Sequence, residues 1–263
     1  MPPKSEENSD MNPEKYIDGV RKTGFELEFK ISSILQDNGW IVINNKYYID
    51  DVKGAAREID IVAYRAKETD ECLIYTALLI SCKKSKDKLW ALLSKEKNTK
   101  DPNTNWHPIR MWSNDPILKY MIENWDWQNE YVNSDVNLFE NIFNPSKHIF
   151  AFQEMSKTNG SPQNDTAIFN SVVSLMKSQW YETHLLDSRK REKSIYNFNL
   201  ISVVDTDLLR IHFEKDRISC KEIDSEKFIA NYIINKKETS ARIHFSTSNS
   251  FSDTLQLLPD DQS

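Results

Sequence analysis

The chain has 263 residues, 39% of them hydrophobic, and a formal net charge of −6 at pH 7. This length and hydrophobic content suffice for one sizeable core, which excludes a chain that is disordered throughout. The acidic balance argues against a protein whose whole surface binds polyanions, although a local basic groove is compatible with it. The longest apolar stretch, residues 72–82, is far shorter than the roughly 20 residues of a membrane span. We therefore expect a soluble, cytoplasmic protein with no membrane partner.

Two scarce residue types exclude further classes of site. The five glycines are scattered and build no glycine-rich phosphate loop. The three cysteines form no CxxC pair, which argues against a zinc knuckle and against a disulfide framework. A glycine-loop nucleotide fold and a structural zinc site are therefore not expected.

The first predicted elements are helical and then extended. Asn12 followed by Pro13 is typical of a helix start, and an apolar stripe with a 3.6-residue period ends at Gly39, which predicts a helix to about residue 38. Three segments rich in β-branched and aromatic residues follow. They predict three successive strands, the last two joined by a hairpin, over residues 40–49, 56–66 and 72–83.

The second half of the chain begins with an insertion of loops, one helical segment and several tryptophans, for which packing onto the main sheet is the simplest role. After it we predict a strand, a long capped helix, further strands and a helix at about residues 225–235. This order predicts a single mixed α/β or α+β domain. Its parts are a flexible tail (1–12), a motif-bearing half (13–97), the insertion (98–147) and a C-terminal half that completes the sheet (148–258).

One carboxylate stands out because it interrupts an apolar strand. Side chains alternate across a strand, so Asp60 shares a face with Glu58 on one strand, while Ser81 and Lys83 share a face on the next. A buried carboxylate costs free energy unless a cation pairs with it. Lys83 or a divalent metal is the expected partner of Asp60, and a purely structural Asp60–Lys83 ion pair is the alternative.

The strand that carries Lys83 ends in a cluster of lysines. An apolar strand that changes to lysines at its end is what the edge of a phosphate-binding cleft requires. Lys84, Lys86 and Lys88 are therefore predicted to contact a nucleic-acid backbone. A solvated surface loop is the alternative.

Three short motifs, "GFELE" (24–28), "REIDIVA" (57–63) and "ISCKKSKDKLW" (80–90), together resemble the PD-(D/E)xK nuclease superfamily. The resemblance is to its restriction-endonuclease-like, free-standing bacterial members related to Mrr. It implies a restriction-endonuclease-like core, with helices on both sides of a central mixed β-sheet and a helical or loop insertion. The position of Gly24 selects Glu28 over Glu26 as the glutamate of the family's helix.

The resemblance also implies an activity and its partners. It implies hydrolysis of DNA phosphodiester bonds in restriction or defence, with RNA not excluded as substrate, and a homodimer or a partner protein as possible assemblies. The cofactor is Mg²⁺, or Mn²⁺, held by Asp60, Glu28 and the backbone carbonyl of Cys82. Lys83 orients the attacking water and offsets charge on the phosphate.

The chain departs from the family at Ser81, which stands where a glutamate or glutamine ligand is usual. A minority of related restriction enzymes also have serine there and take the carboxylate from a following helix, which makes Glu96 a candidate if residues 89–97 are helical. Glu58 is a second candidate. The alternative functions are an impaired nuclease fold that binds nucleic acid or a partner protein, and a structural protein with no nucleic-acid role.

The hairpin geometry adds one expectation. A symmetric turn about Thr69 places Asp60 opposite residue 78, several residues away from Ser81 and Lys83. A bulge or an asymmetric loop is therefore predicted between the two strands.

Overall fold

A computed structural model describes residues 12–98, 100, 108–124, 147–188 and 192–258. Its helices are α1 (Pro13–Arg21), α2 (Phe25–Asp37), α3 (Pro116–Glu123), α4 (Thr166–Asp187) and α5 (Phe251–Gln256). The strands of the first half are β1 (Ile41–Ile49), β2 (Ala56–Glu68), β3 (Leu73–Lys84), β4 (Lys88–Lys95) and β5 (Arg110–Ser113). Those of the second half are β6 (His148–Ser156), β7 (Ser194–Asp205), β8 (Leu208–Phe213), β9 (Ile218–Ile223), β10 (Ser225–Ile234) and β11 (Lys237–Thr247).

The strands of the described residues form two sheets. The larger has the order β1-β2-β3-β7-β11-β10, with β5 also paired to β7, and the smaller has the order β6-β4-β8-β9. The β3–β7 and β7–β11 pairs are parallel, whereas β1–β2 and β2–β3 are antiparallel. The fold is therefore α+β with a mixed sheet, as predicted. The second sheet was not predicted, and it takes β6 and β8 away from the sheet that they were expected to complete.

Helices cover both faces of the larger sheet because its central strands are apolar on both faces. On β3, Leu79 packs in the cluster that contains the α4 residues Val172 and Met176, and Ile80 packs in the cluster that contains Ile31 of α2 and Phe251 of α5. Both strand residues are fully buried. The central strands consequently lie in the deepest layer of the domain, and their ends reach its surface.

A buried ion cluster fixes α4 to the turn after β1. The Nζ atom of Lys177 lies 3.0 Å from Asp50 Oδ2 and 2.9 Å from Asp51 Oδ1, and all three side chains are less than a tenth exposed. The carboxylate of Asp50 also accepts hydrogen bonds from the backbone N–H groups of Val52 and Lys53. This cluster ties the sheet to its covering helix by charge as well as by apolar packing.

Several local predictions are confirmed. The first helices end at residue 37, three strands follow, and the long helix and the strand before it occupy the predicted segments. Trp112 packs against Tyr196, and its indole N–H donates to Asp187. The predicted tail apart from Asn12, most of the insertion, and Trp106, Trp125 and Trp127 lie outside the described residues.

One helix prediction is wrong, and a second segment, which was considered as a possible helix, is a strand. Residues 225–234, in the segment predicted as a helix, form β10, which pairs with β11 over ten residue pairs, and residues 88–95 form β4. Both segments are short and apolar, so their hydrophobic pattern suits a helix or a strand, and pairing with neighbouring strands decides the outcome. Because residues 88–95 form a strand, the condition under which Glu96 was a candidate metal ligand is not met.

The predicted bulge between β2 and β3 is also absent. The two strands pair without a register shift from Glu68↔Leu73 to Ile61↔Ile80. The turn is centred between Asp70 and Glu71, one and a half residues beyond Thr69, which moves the residue opposite Asp60 from 78 to 81. Extended by one residue, the register of the paired segment places Asp60 level with Ser81, so no bulge within that segment is needed to bring Asp60 to the level of Ser81.

Candidate active site

Asp60 lies where β2 separates from β3. The paired register of the two strands ends at Ile61↔Ile80, and two residues further along β3 the N–H group of Cys82 donates to Asp60 Oδ2 at 2.6 Å. At the end of the β2–β3 pair, the Asp60 side chain thus accepts a hydrogen bond that a backbone carbonyl of β2 would otherwise accept. This hydrogen bond fixes the carboxylate at the edge between the two strands.

The alternation of β2 also breaks at Asp60. Ile59 packs in the core on the α4 face, whereas Ile61 packs in the core on the α2 face. The regular alternation predicted from the sequence for this strand is therefore wrong at Asp60. On the neighbouring strand Asn45 is absent from the register and has a φ of 54°, a left-handed conformation that asparagine tolerates better than most residues. The irregularity of both strands at this level accommodates a carboxylate inside an otherwise apolar strand.

Lys83 supplies the positive charge next to this carboxylate. Its Nζ atom lies 3.3 Å from Asp60 Oδ2 and 3.2 Å from the Cys82 carbonyl oxygen. The side chains of Lys83 and Asp60 are 30% and 20% exposed. The pair is partly buried but reachable from solvent, as a site for a phosphate group has to be.

Glu28 faces the same group of charges from α2. Burial is the largest cause that raises the pKa of this carboxyl, the charge of Asp60 raises it further, Lys83 opposes the rise, and Glu58 adds to it. A Cβ atom on Gly24, one helical turn earlier, would lie 3.3 Å from Glu28 Oε1. The glycine therefore leaves room for the Glu28 carboxylate beside the first turn of α2.

Glu26, by contrast, lies with Lys84, at 3.3 Å. Glu28, Asp60 and Lys83 are thus the three predicted site residues that the structure brings together. Glu58 is exposed and acts on Glu28 through its charge.

Ser81 is close to this group in sequence but does not bind any member of it. It is 1% exposed, and its Oγ atom has no hydrogen-bond partner within the described part of the chain. Its neighbour in the parallel register is Ser202 of β7, whose hydroxyl is paired with that of Ser171 on α4. Ser81 therefore contributes a small, buried hydroxyl, unpaired within the described residues, at the position where the resemblance predicts a carboxylate or an amide.

The remaining candidates are placed elsewhere or have other partners. Glu96 follows β4 in the second sheet, where it pairs with Lys147 and with His212 Nε2 at 3.1 Å. Lys88 binds the buried carboxylate of Glu154 at 3.0 Å, and Lys84 binds the backbone carbonyl of Arg21 as well as Glu26. Lys86 is exposed. Among the three predicted phosphate contacts, Lys86 is the side chain for which no partner is seen among the described residues.

The residues that converge fit a hard divalent cation in part. Mg²⁺ takes oxygen ligands and is commonly held by one or two carboxylates, with water and substrate completing its shell. Glu28 and Asp60 supply two carboxylates whose mutual repulsion raises the pKa of Glu28, and a cation between them relieves that repulsion. Over the described ranges, no group of three or more His, Cys, Asp or Glu side chains is arranged to hold a metal. The donor set is therefore that of a two-carboxylate site without a third protein carboxylate.

Two features of the site had no signal in the sequence. The N–H group of Cys82 anchors Asp60, and nothing in the residue types predicts which backbone donor is left free at the end of a strand pair. The partners of Lys84 and Lys88 were also missed, because Glu26 and Glu154 reach them only through the tertiary fold.

Comparisons of the chain with protein-family models, with curated proteins and with solved structures give no match. Among the helices that the structure describes, none has the length and apolar character needed to cross a membrane.

Proposed function

We propose that the chain is a metal-dependent nuclease that hydrolyses phosphodiester bonds in DNA, with a restriction-endonuclease-like core and a role in restriction or defence. The observation that carries the proposal is the convergence of Glu28, Asp60 and Lys83. Asp60 binds Lys83 directly, and both charges act on Glu28. The sequence order of these residues, helix glutamate, strand aspartate and next-strand lysine, is that of the superfamily that the three motifs resemble.

In this proposal Glu28 and Asp60 hold Mg²⁺ or Mn²⁺, and Lys83 orients the attacking water and offsets charge on the phosphate. A bound divalent cation polarises a non-bridging phosphate oxygen and lowers the pKa of a water molecule. Asp60, fixed by the Cys82 N–H group, and Glu28 on α2 would be the residues that hold that cation, and Lys83 lies next to Asp60. Lys83 Nζ then donates to the attacking water or to the phosphate, and its charge offsets the negative charge that develops there. Since Lys83 Nζ already donates to the Cys82 carbonyl, that oxygen orients the lysine, and a role as metal ligand requires the lysine to move.

The experiment that tests the proposal is a cleavage assay on supercoiled plasmid with Mg²⁺ or Mn²⁺, with EDTA as the metal-free control. We expect nicked or linear DNA that appears only with the metal. A parallel reaction on single-stranded RNA tests the substrate class. Intact plasmid with either metal over a range of protein concentrations contradicts the nuclease assignment.

A second candidate function is a nuclease fold that has lost catalysis and binds nucleic acid or a partner protein. The observation that favours it is Ser81, which is buried and brings no carboxylate to the site. Lys84 and Lys88 do not distinguish the two functions. Each lysine binds a carboxylate, and a phosphate would have to compete with that carboxylate in either case.

The substitution Ser81→Glu separates the two candidates. A glutamate at this buried position has to be paired or protonated, so we expect the variant to unfold at a lower temperature in EDTA and to be stabilised by Mn²⁺ when the new carboxylate reaches the cation. Differential scanning fluorimetry with and without Mn²⁺ measures this, and Ser81→Gln, which adds similar volume without charge, is the matched control. Cleavage that only the glutamate variant shows supports the impaired fold, whereas cleavage by the unaltered chain supports the active one.

A further inference from the structure

A cavity lies on the α4 face of the larger sheet, where β7 changes partners along one edge. β5 pairs with residues 195–198 of β7, and β11 pairs with residues 200–204 of the same strand. The space between these two partners, under α4, is a cavity of about 420 Å³, here named the α4 pocket. Its polar and aromatic lining includes Arg110, Gln179, Trp180, His184, Phe198 and Arg242. This volume lies within the range of small-molecule sites in proteins.

The first indication of a ligand is the side chain of Gln179. The residue is 6% exposed and lines the α4 pocket, and in the described chain its side-chain amide makes no hydrogen bond. The hydrogen bond that it does accept, from Thr183 Oγ1, goes to its backbone carbonyl. Buried amides are normally paired. A primary amide that faces a cavity offers an adjacent donor and acceptor to whatever occupies it.

The second indication is the charge of the pocket. Among the described residues, Arg110, Lys237 and Arg242 line it together with one carboxylate, Glu238. The Arg110 side chain is exposed, and within the described residues neither Asp187 nor Glu123 is close enough to Arg110 to form an ion pair. A concave surface with this excess of cations favours an anion, and a guanidinium favours a phosphate or a carboxylate.

The third indication is an aromatic wall. The rings of Trp180 and His184 lie with their centroids 4.0 Å apart and their planes at 31°, and Phe198 contributes from β7. Aromatic side chains of this kind stack on the flat faces of nucleobases. A glutamine amide next to such a wall matches the donor and acceptor pair on the edge of a base.

We propose that the α4 pocket binds a nucleoside monophosphate, with the base against Trp180 and Phe198, its edge at the Gln179 amide and its phosphate at Arg110. The pocket is separate from the candidate active site. Phe198 lies six residues along β7 from Val204, the register partner of Lys83, which corresponds to roughly 20 Å. The proposal therefore holds whether or not the chain is a nuclease.

Isothermal titration calorimetry with AMP, GMP, CMP and UMP tests the proposal. We expect at least one nucleotide to bind at least about tenfold more tightly than inorganic phosphate and than its own nucleoside, because phosphate and base contacts both contribute. Gln179→Leu and Arg110→Gln are each expected to weaken that binding at least about tenfold. Gln179→Leu should keep the thermal stability of the unaltered chain, since the amide that it removes has no partner in the described structure.

Arg217→Gln, which removes the same charge from the exposed turn between β8 and β9, is the matched control and should leave the affinity unchanged. Three results overturn the proposal. They are the failure of all four nucleotides to bind at millimolar concentration, binding of inorganic phosphate as tight as that of any nucleotide, and full affinity in both pocket variants.

Discussion

Replacing Asp60 with asparagine is expected to reduce metal-dependent plasmid cleavage by at least about a hundredfold. The substitution keeps an oxygen that accepts the hydrogen bond from the Cys82 N–H group, so the end of the β2–β3 pair stays in place. It removes the negative charge that would bind a cation and that pairs with Lys83. The effect is therefore a loss of metal binding with little loss of fold.

The matched control is Asp70→Asn, in the exposed turn of the same hairpin. Initial rates of conversion of supercoiled to nicked DNA, measured for both variants with Mg²⁺ and with Mn²⁺, give the comparison. Thermal unfolding of both proteins checks that they are folded. Equal rates for Asp60→Asn and the unaltered chain would exclude Asp60 from the chemistry.

The largest effect on stability is expected from Lys177→Met. The substitution leaves Asp50 and Asp51 buried next to each other without the cation that contacts both at about 3 Å. Removing one partner of a buried charge cluster costs about 3 kcal/mol or more, which lowers the Tm of a chain of this size by roughly 6–12 °C. Lys119→Met is the control, because its ion pair with Asp187 is about half exposed and such pairs contribute roughly 1 kcal/mol at most. Chemical denaturation of the two variants measures the difference, and equal losses would contradict the account.

The same cluster predicts how stability depends on pH in acid. Burial favours the neutral form of Asp50, but hydrogen bonds from Lys53, Lys177 and Val52 outweigh it and lower the pKa to about 2 from 3.8. A carboxyl with a lowered pKa in the folded state contributes stability above its unfolded pKa, and this contribution is lost as pH falls from about 4 to about 2. In Lys177→Met the loss of stability between pH 4 and pH 2 should be smaller, because the hydrogen bond and the charge of Lys177, which help to lower the pKa of Asp50, are absent. Urea denaturation at several values of pH from 2 to 5 compares the slopes.

The sequence predicted the α+β class and the elements that carry the candidate site, because long periodic segments and a two-strand hairpin are local features. It failed where pairing between distant segments decides the structure. The segment of β10 was predicted as a helix. The second sheet forms because β4 pairs with β6 and β8, and no local sequence pattern predicts this pairing. Local composition therefore describes the centre of the larger sheet better than its periphery.

The candidate site shows the same division. Glu28, Asp60 and Lys83 were identified from the charge that interrupts an apolar strand and from the family resemblance, and they converge. Their exact register was mispredicted because a shift of one and a half residues in the centre of a turn moves the opposite residue by three. The partners that fix or engage the charges, such as the Cys82 N–H group for Asp60, follow from tertiary structure alone.

A crystal structure of the protein soaked with Mn²⁺, with anomalous scattering recorded at the manganese edge, tests the central claim most directly. We expect one manganese peak within about 2.5 Å of carboxylate oxygens from both Glu28 and Asp60, with Lys83 Nζ next to the water ligands of the ion. A peak that is absent at millimolar Mn²⁺, or that lies away from these two residues while Lys83 stays bound to Asp60, would contradict it.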